Sequence, residues 1–391
     1  MKAIRFILLI LLTLNLAAGC RAAPIPGAPT AANTPESELR VLFLNVGRAD
    51  ATLVLAAGKA WLIDTGEKSS VPQLLRGLHV NGVEALDGVF LTHTHGDHTG
   101  GMGTLAQNFP IGTLYSAEIS ENKKGGGNKI DELAQEFSLK HRKLRAGDGV
   151  DITPDVRFEV LGPLVYNDKD DNDNSLVLRL RMNGRTLLFT GDMQFAEEAT
   201  LMQAGADLKA DILKVANHGN PDATSDAFAA AVSPQYAVIP TDTSVDEDSA
   251  NPRVTAALAG ASALVTQDYA CGVLLTVRAD GSIAVANPEA PHTGARMAIT
   301  KIDKDAQTVT IRNDGESMDI SGFFLLSQKG SEVFVFPKGA HLGAGQTVTV
   351  SGAGGGGDYE WVNDSKVWNA KKEDVGVLYD RYGNELAREA S

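Results

Sequence analysis

A chain of 391 residues, 43% hydrophobic and 21% charged with 40 glycines, has the length of two or three domains and the composition of a soluble globular protein rather than a disordered or fibrous one. Its 35 basic and 49 acidic residues leave a formal net charge of −14, which repels polyanions and speaks against a general DNA-coating role. Two cysteines, Cys20 and Cys271, are too few for a disulfide framework, and Cys271 reads as a buried apolar residue.

The chain opens with Lys2 and Arg5, an apolar run from Phe6 to Leu16, and the small-residue string Leu16-Ala17-Ala18-Gly19-Cys20. This resembles a bacterial lipoprotein signal over residues 1–20, which implies cleavage ahead of Cys20, a lipid on its thiol, and an extracytoplasmic protein anchored to the bacterial membrane. The apolar run falls short of the roughly 20 residues that span a bilayer, and an ordinary secretory signal with an incidental cysteine is the alternative. Residues 21–38, with Pro24, Pro26, Pro29 and Pro35, read as an extended tether.

Folded structure is expected from Leu39. Arg40 to Val46 reads as a strand, followed by a turn at Gly47 and strands over Ala51 to Leu55 and Ala60 to Ile63. Helical spacing covers Val71 to His79 and Ile130 to Phe137, and further strands cover Gly88 to Thr92, Leu187 to Thr190 and Val273 to Val277. Several strands follow one another through tight turns, so layered sheets with outer helices fit this α/β pattern better than a regular Rossmann repeat. Asn287-Pro288, Pro291 and Gly294 interrupt the pattern, which places a linker at 287–296 between a domain over 39–286 and another over 297–391. In the latter, Ala298 to Ile302, Thr308 to Arg312, Gly322 to Leu326, Val333 to Phe336 and Thr347 to Val350 read as strands of a small sandwich, with Ser351 to Gly357 as a flexible glycine-rich loop.

The densest chemistry lies in Leu91-Thr92-His93-Thr94-His95-Gly96-Asp97-His98, where three of the chain's eight histidines and a carboxylate fall within six residues after an apolar strand. Such side chains need solvation or a bound divalent cation, and a polar loop with surface histidines is the bland alternative. His93 and His95 can face one way while Asp97 and His98 turn back, so two adjacent metal positions follow. Lys123, Lys124 and Lys129, interleaved with glycines, read as a solvated loop rather than a substrate-binding lip.

The H-x-H-x-D-H pattern at His93, His95, Asp97 and His98 is similar to the defining motif of the metallo-β-lactamase superfamily. That resemblance implies an αββα sandwich for the first domain and a hydrolase with two divalent metal ions, zinc or manganese. It implies that Asp64, in Leu62-Ile63-Asp64-Thr65-Gly66, braces the metal loop, that Asp192 at the end of Leu187 to Asp192 bridges the metals, and that His218 in Asp211 to Gly219 supplies the last imidazole. Within the superfamily, Phe43 to Ala51 and Asn172-Asp173-Asn174-Ser175-Leu176 resemble the hydrolase domain of ComEC-type competence proteins. There an Asn-Ser segment stands where other branches place a middle histidine, so Asn174 is expected to line the first metal position, a harder donor that favours manganese or loosely held zinc. Asp97, Asn174 and His218 are the expected catalytic residues. Two positions depart from the branch: Asn217 replaces a usual histidine before His218, and Ala49 replaces a usual glycine.

The region from Met297 to Arg388 resembles a lamin-tail domain in Val309 to Asn313, Met318 to Phe323, Phe336 to Gly339, Val367-Trp368-Asn369 and Leu378-Tyr379-Asp380, which implies a small all-β immunoglobulin-like sandwich after the αββα sandwich. It is expected to be an adhesion or targeting module for a cell-surface or DNA ligand, with Trp361 and Trp368 in its core. The whole chain then reads as an extracytoplasmic phosphodiesterase or nuclease acting on a small phosphodiester or nucleic acid. A lactone or lactam hydrolase, or a non-catalytic surface protein with a structural metal site, are the alternatives.

Overall fold

The computed structural model describes residues 37–118, 120, 127–362 and 364–391. Cys20, most of the tether, Lys123 and Lys124 lie outside the described residues. Among those described, two sheets stack face to face. The first has eight strands in the order Ile283–Ala286, Gly272–Val277, Leu39–Leu44, Thr52–Ala56, Lys59–Ile63, Leu86–Leu91, Ile111–Ala117 and His141–Leu144. The second has seven, ordered Ser262–Val265, Tyr236–Ile239, Ile212–Lys214, Arg185–Phe189, Val177–Met182, Arg157–Gly162 and Gly149–Asp151. In each, antiparallel pairing gives way to parallel pairing, at Lys59–Ile63 in the first sheet and at Arg185–Phe189 in the second.

Leu39–Leu44 shows why its sequence is a nearly unbroken apolar run. Phe43 pairs with Val273 on one side and Thr52 on the other, so the strand is central and both of its faces are buried. Val41 and Phe43 point into the core between the sheets, where Phe43 meets Phe189 of the second sheet at a ring separation of 6.2 Å. Leu42 and Leu44 point outward under the helix Val71–Val80, which buries Leu74, Leu75 and Leu78 against them. On the far face Phe228 and Val254, from helices Asp226–Val232 and Pro252–Ala257, cover the second sheet. The layering is helix, sheet, sheet, helix.

The expected strand Arg40 to Val46 ends at Leu44, because Asn45 bends away and donates from Nδ2 to the Tyr269 carbonyl. Strands Ile111–Ala117 and His141–Leu144 were not expected. They are the last two strands on one side of the first sheet, and in the edge strand two polar neighbours in His141-Arg142-Lys143-Leu144 stand exposed and blur the apolar signal.

The C-terminal region is an all-β, immunoglobulin-like sandwich of two four-stranded sheets, with Trp361 and Trp368 buried edge to face in its core. The loop expected to be flexible at Ser351 to Gly357 is fastened: Gly354 and Gly356 donate to the Glu360 carboxylate and Gly357 to Ser351 Oγ. The sandwich is also seated on the first domain. Phe324, Leu326, Val333 and Val377 join the core beneath Val71–Val80, Arg76 donates to the Gly383 carbonyl, and His79 Nδ1 lies 2.6 Å from the Arg381 carbonyl.

Candidate metal centre

The strands Leu39–Leu44, Lys59–Ile63, Leu86–Leu91, Arg185–Phe189 and Ile212–Lys214 end on one rim of the sandwich, and the loops that follow them meet there. The first three belong to one sheet and the last two to the other. Backbone bonds lock these loops together: Asp64 N donates to Phe90 O, Thr65 N to His98 O, and Asp50 N to Asp97 O. Gly191 has φ +50°, and a Cβ there would stand 2.7 Å from the side chain of Ser175, so only glycine lets the chain turn into Asp192 at this point.

Three imidazoles are held by the same device. His98 donates from Nδ1 to Asp64 Oδ2 at 2.8 Å, and Asp64 is itself fixed by Thr92 N and Thr92 Oγ1, both at 2.8 Å. His218 donates from Nδ1 to the Pro240 carbonyl at 2.9 Å. His93 Nδ1 is engaged by the hydroxyls of Thr92 and Ser175 at 3.2 and 3.3 Å. In each ring Nε2 is buried and lacks a hydrogen-bond partner among the described residues. Fixing one nitrogen so that the other presents its lone pair is how proteins orient metal-binding histidines.

Two of these nitrogens, those of His98 and His218, converge on Asp192. Its Oδ2 lies 3.1 Å from His98 Nε2 and 3.2 Å from His218 Nε2, while Asp97 Oδ2 lies 3.4 Å from His218 Nε2. Donor atoms of Asp97, His98, Asp192 and His218 all lie within 4.8 Å of one another. His93 stands beside them, its ring 4.1 Å from that of His98 and 4.6 Å from that of His95. Clustered imidazole and carboxylate donors of this kind fit divalent cations. The first four residues would hold one cation, and His93 with His95 would contribute to a second beside it.

Electrostatics follow from this crowding. Burial alone would raise Asp192, yet the charges of His218, His98 and Lys214 hold its carboxyl well below the usual range. Burial would likewise lower His218, but Asp192, Asp50 and Asp97 push it up to about 9. His93, buried and facing the neighbouring imidazoles, goes the other way and is held well below the ordinary histidine value. Asp97 is the accessible carboxylate of the cluster, with 16% of its side chain exposed against 3% for Asp192.

Asn174 behaves differently from its expected place at the first metal position. It is fully buried, its Oδ1 accepts from Asn167 N at 2.9 Å, and its Nδ2 donates to Asn167 O and Asp171 Oδ1 at 2.9 and 3.0 Å. The amide braces its own loop, and Ser175 is the residue of this segment that reaches the histidines. Asn217, His218 and Gly219 have positive φ in succession, at 45°, 54° and 73°. Asparagine is among the few side chains that tolerate this region, and Asn217 donates from Nδ2 to Asp222 Oδ1 at 2.9 Å. Lys129, exposed at the start of the helix Lys129–Glu136, lies at the edge of the described residues.

Sequence reading assigned no role to the pair beneath the site. Lys214 is 3% exposed, its ammonium against the Asp50 carboxylate, 2.7 Å from the Gly191 carbonyl and 3.4 Å from Asp192 Oδ1. A lone lysine inside Ile212-Leu213-Lys214-Val215-Ala216 was the available signal, since such a residue is almost never buried without a partner.

The family model of the metallo-beta-lactamase superfamily matches residues 44–242, and that of the lamin tail domain matches residues 290–390. Competence protein ComA of Neisseria gonorrhoeae is 32% identical over 206 residues, covering 52% of this chain and 27% of that protein. ComE operon protein 3 of Bacillus subtilis is 30% identical over 223 residues, covering 52% and 28%. The matched part of this chain therefore spans about a quarter of the length of those relatives. Among solved structures, the metallo-beta-lactamase fold protein YhfI of Bacillus subtilis aligns at 12% identity with a TM-score of 0.43, covering 64% of this chain and 100% of that one.

Proposed function

The chain belongs to the metallo-beta-lactamase superfamily, and we propose that it is a binuclear metal-dependent phosphodiesterase or nuclease. The observation that carries this reading is the convergence of the buried His98 and His218 Nε2 atoms on Asp192 and Asp97, with His93 and His95 beside them. The similarity to competence proteins supports a phosphodiester as substrate class, and the net charge of −14 favours a short phosphodiester over long DNA.

Bound divalent cations would supply Lewis acidity, activating water and stabilising negative charge at the reacting centre. The chain's own residues do the rest. Asp64, Pro240 and the hydroxyls of Thr92 and Ser175 fix the imidazoles. Lys214 occupies one oxygen of Asp192 and leaves Oδ2 to face His98 and His218. Asp97, the carboxylate that solvent reaches, is placed to orient the attacking water. We further propose that the enzyme works outside the cytoplasm, tethered through a lipid on Cys20; the Leu16-Ala17-Ala18-Gly19-Cys20 string supports this.

The test is metal analysis of the purified chain from Arg21 onward, with turnover of bis(p-nitrophenyl) phosphate after reconstitution with zinc or manganese and His95→Ala as control. Two equivalents of metal with turnover that His95→Ala abolishes are expected. One inert equivalent would instead favour a surface protein with a structural metal site.

A further inference from the structure

Arg48 stands at the mouth of the cluster. Its Nη1 donates to Asp97 Oδ2 at 2.7 Å and its Nε to Asp246 Oδ2 at 3.0 Å, and 35% of its side chain is exposed. The third nitrogen, Nη2, makes no hydrogen bond to the described residues. Asp246 is tied down in turn, its Oδ1 accepting from Asp248 N and its Oδ2 lying 3.4 Å from Asn220 Nδ2. A planar guanidinium anchored on two sides has no freedom to turn, so the donors of Nη2 point in a fixed direction next to the group formed by Asp97, His98, Asp192 and His218.

The contrast with Arg253 shows that this is not the common fate of arginines on this rim. Arg253 lies over the Phe195 ring and spends all three nitrogens on the carbonyls of Pro221, Ala223 and Thr224. Lys214, the other cation of the site, is buried and committed to Asp50, Gly191 and Asp192. Arg48 is thus the cation beside the cluster that is both oriented and open to an incoming ligand. On a protein with a net charge of −14, an anion gains most from such a contact.

We propose that Arg48 is a specificity-determining residue whose Nη2 receives a non-bridging phosphoryl oxygen of the substrate, so that the site selects an anionic phosphodiester over a neutral acyl substrate. This rests on the phosphodiesterase reading above and names the residue that sets its substrate charge. Asp246 positions the guanidinium without touching the substrate.

Calorimetric titration of inorganic phosphate into the metal-loaded protein, with metal content measured alongside, tests it on the wild type, Arg48→Gln and Asp246→Asn. Phosphate affinity is expected to fall about tenfold in Arg48→Gln and by a smaller factor in Asp246→Asn, at unchanged metal content, the loss expected for one charge-assisted hydrogen bond. In parallel, KM for bis(p-nitrophenyl) phosphate rises by a larger factor than KM for p-nitrophenyl acetate. Wild-type phosphate affinity in Arg48→Gln overturns the proposal. So does loss of metal together with phosphate, which would mean that Arg48 acts only by holding Asp97. A wild type that binds metal but no phosphate also overturns it and leaves the metal centre standing, whereas a wild type that binds no metal overturns the functional reading beneath it.

Discussion

His98 and Asp64 are joined through Nδ1 and Oδ2 at 2.8 Å, both buried in the segments that follow neighbouring strands of the first sheet. The carboxylate fixes the tautomer that leaves His98 Nε2 open toward Asp192. Asp64→Asn replaces an obligate acceptor with an amide that can present a donor to the same nitrogen. Metal affinity, measured by competition with a chromogenic chelator, is expected to fall roughly 10- to 100-fold with the fold intact by circular dichroism.

Lys214 neutralises two buried carboxylates. Lys214→Met keeps most of the volume and strands Asp50 and Asp192. Urea unfolding of the metal-free protein should show a loss of about 3 to 5 kcal/mol, the usual result of removing one partner from a buried ion pair. The double variant Lys214→Met with Asp50→Asn should recover part of it.

Because Asp192, Asp50 and Asp97 push His218 up to about 9, that imidazole carries a proton at neutral pH when no metal is present. Metal binding must displace it. Calorimetric titration of zinc at pH 7 in two buffers of different ionisation enthalpy should report release of about one to two protons per protein, and affinity should weaken as pH falls. Equal heats in both buffers would contradict the assignment of His218 as a ligand.

Glu197 lies 2% exposed and burial raises its carboxyl to about 7 from an ordinary value of 4.5. The folded protein therefore holds a proton that the unfolded chain releases between those values, so stability present below pH 4.5 is lost as pH rises through 7. The loss is about 3 kcal/mol when complete. Glu197→Gln keeps an acceptor for Leu164 N and should flatten the urea midpoint between pH 5 and 8.

The ligand cluster and the central strands of the first sheet were legible in the residues themselves, whereas in the second sheet only Leu187 to Thr190 was expected. His93 to His98 are local in sequence, and strands such as Leu39–Leu44 are buried on both faces, so composition alone marks them. What escaped depends on contacts far apart along the chain. Asp50 and Lys214 find each other only when the two sheets pack, and nothing local distinguishes Asn174 from Ser175 as the side chain that turns toward His93. The edge strand His141–Leu144 carries the polar residues that edges tolerate, which hid it. The seating of the tail sandwich on Val71–Val80 was equally invisible, since Phe324 and Val377 look the same whether they cover their own core or a neighbour's.

Four of the histidine and aspartate donors, His93 to His98, hang from the first sheet, while Asp192 and His218 hang from the second. A cation gripped by both sets works as a clasp across the seam of the sandwich. Peeling the layers apart then requires ejecting the ion, so loading should raise resistance to unfolding by roughly 4 kcal/mol at a thousandfold excess over the dissociation constant. Scarcity of metal would loosen the scaffold as well as silence the chemistry, which makes the ion's supply a control on the protein's lifetime.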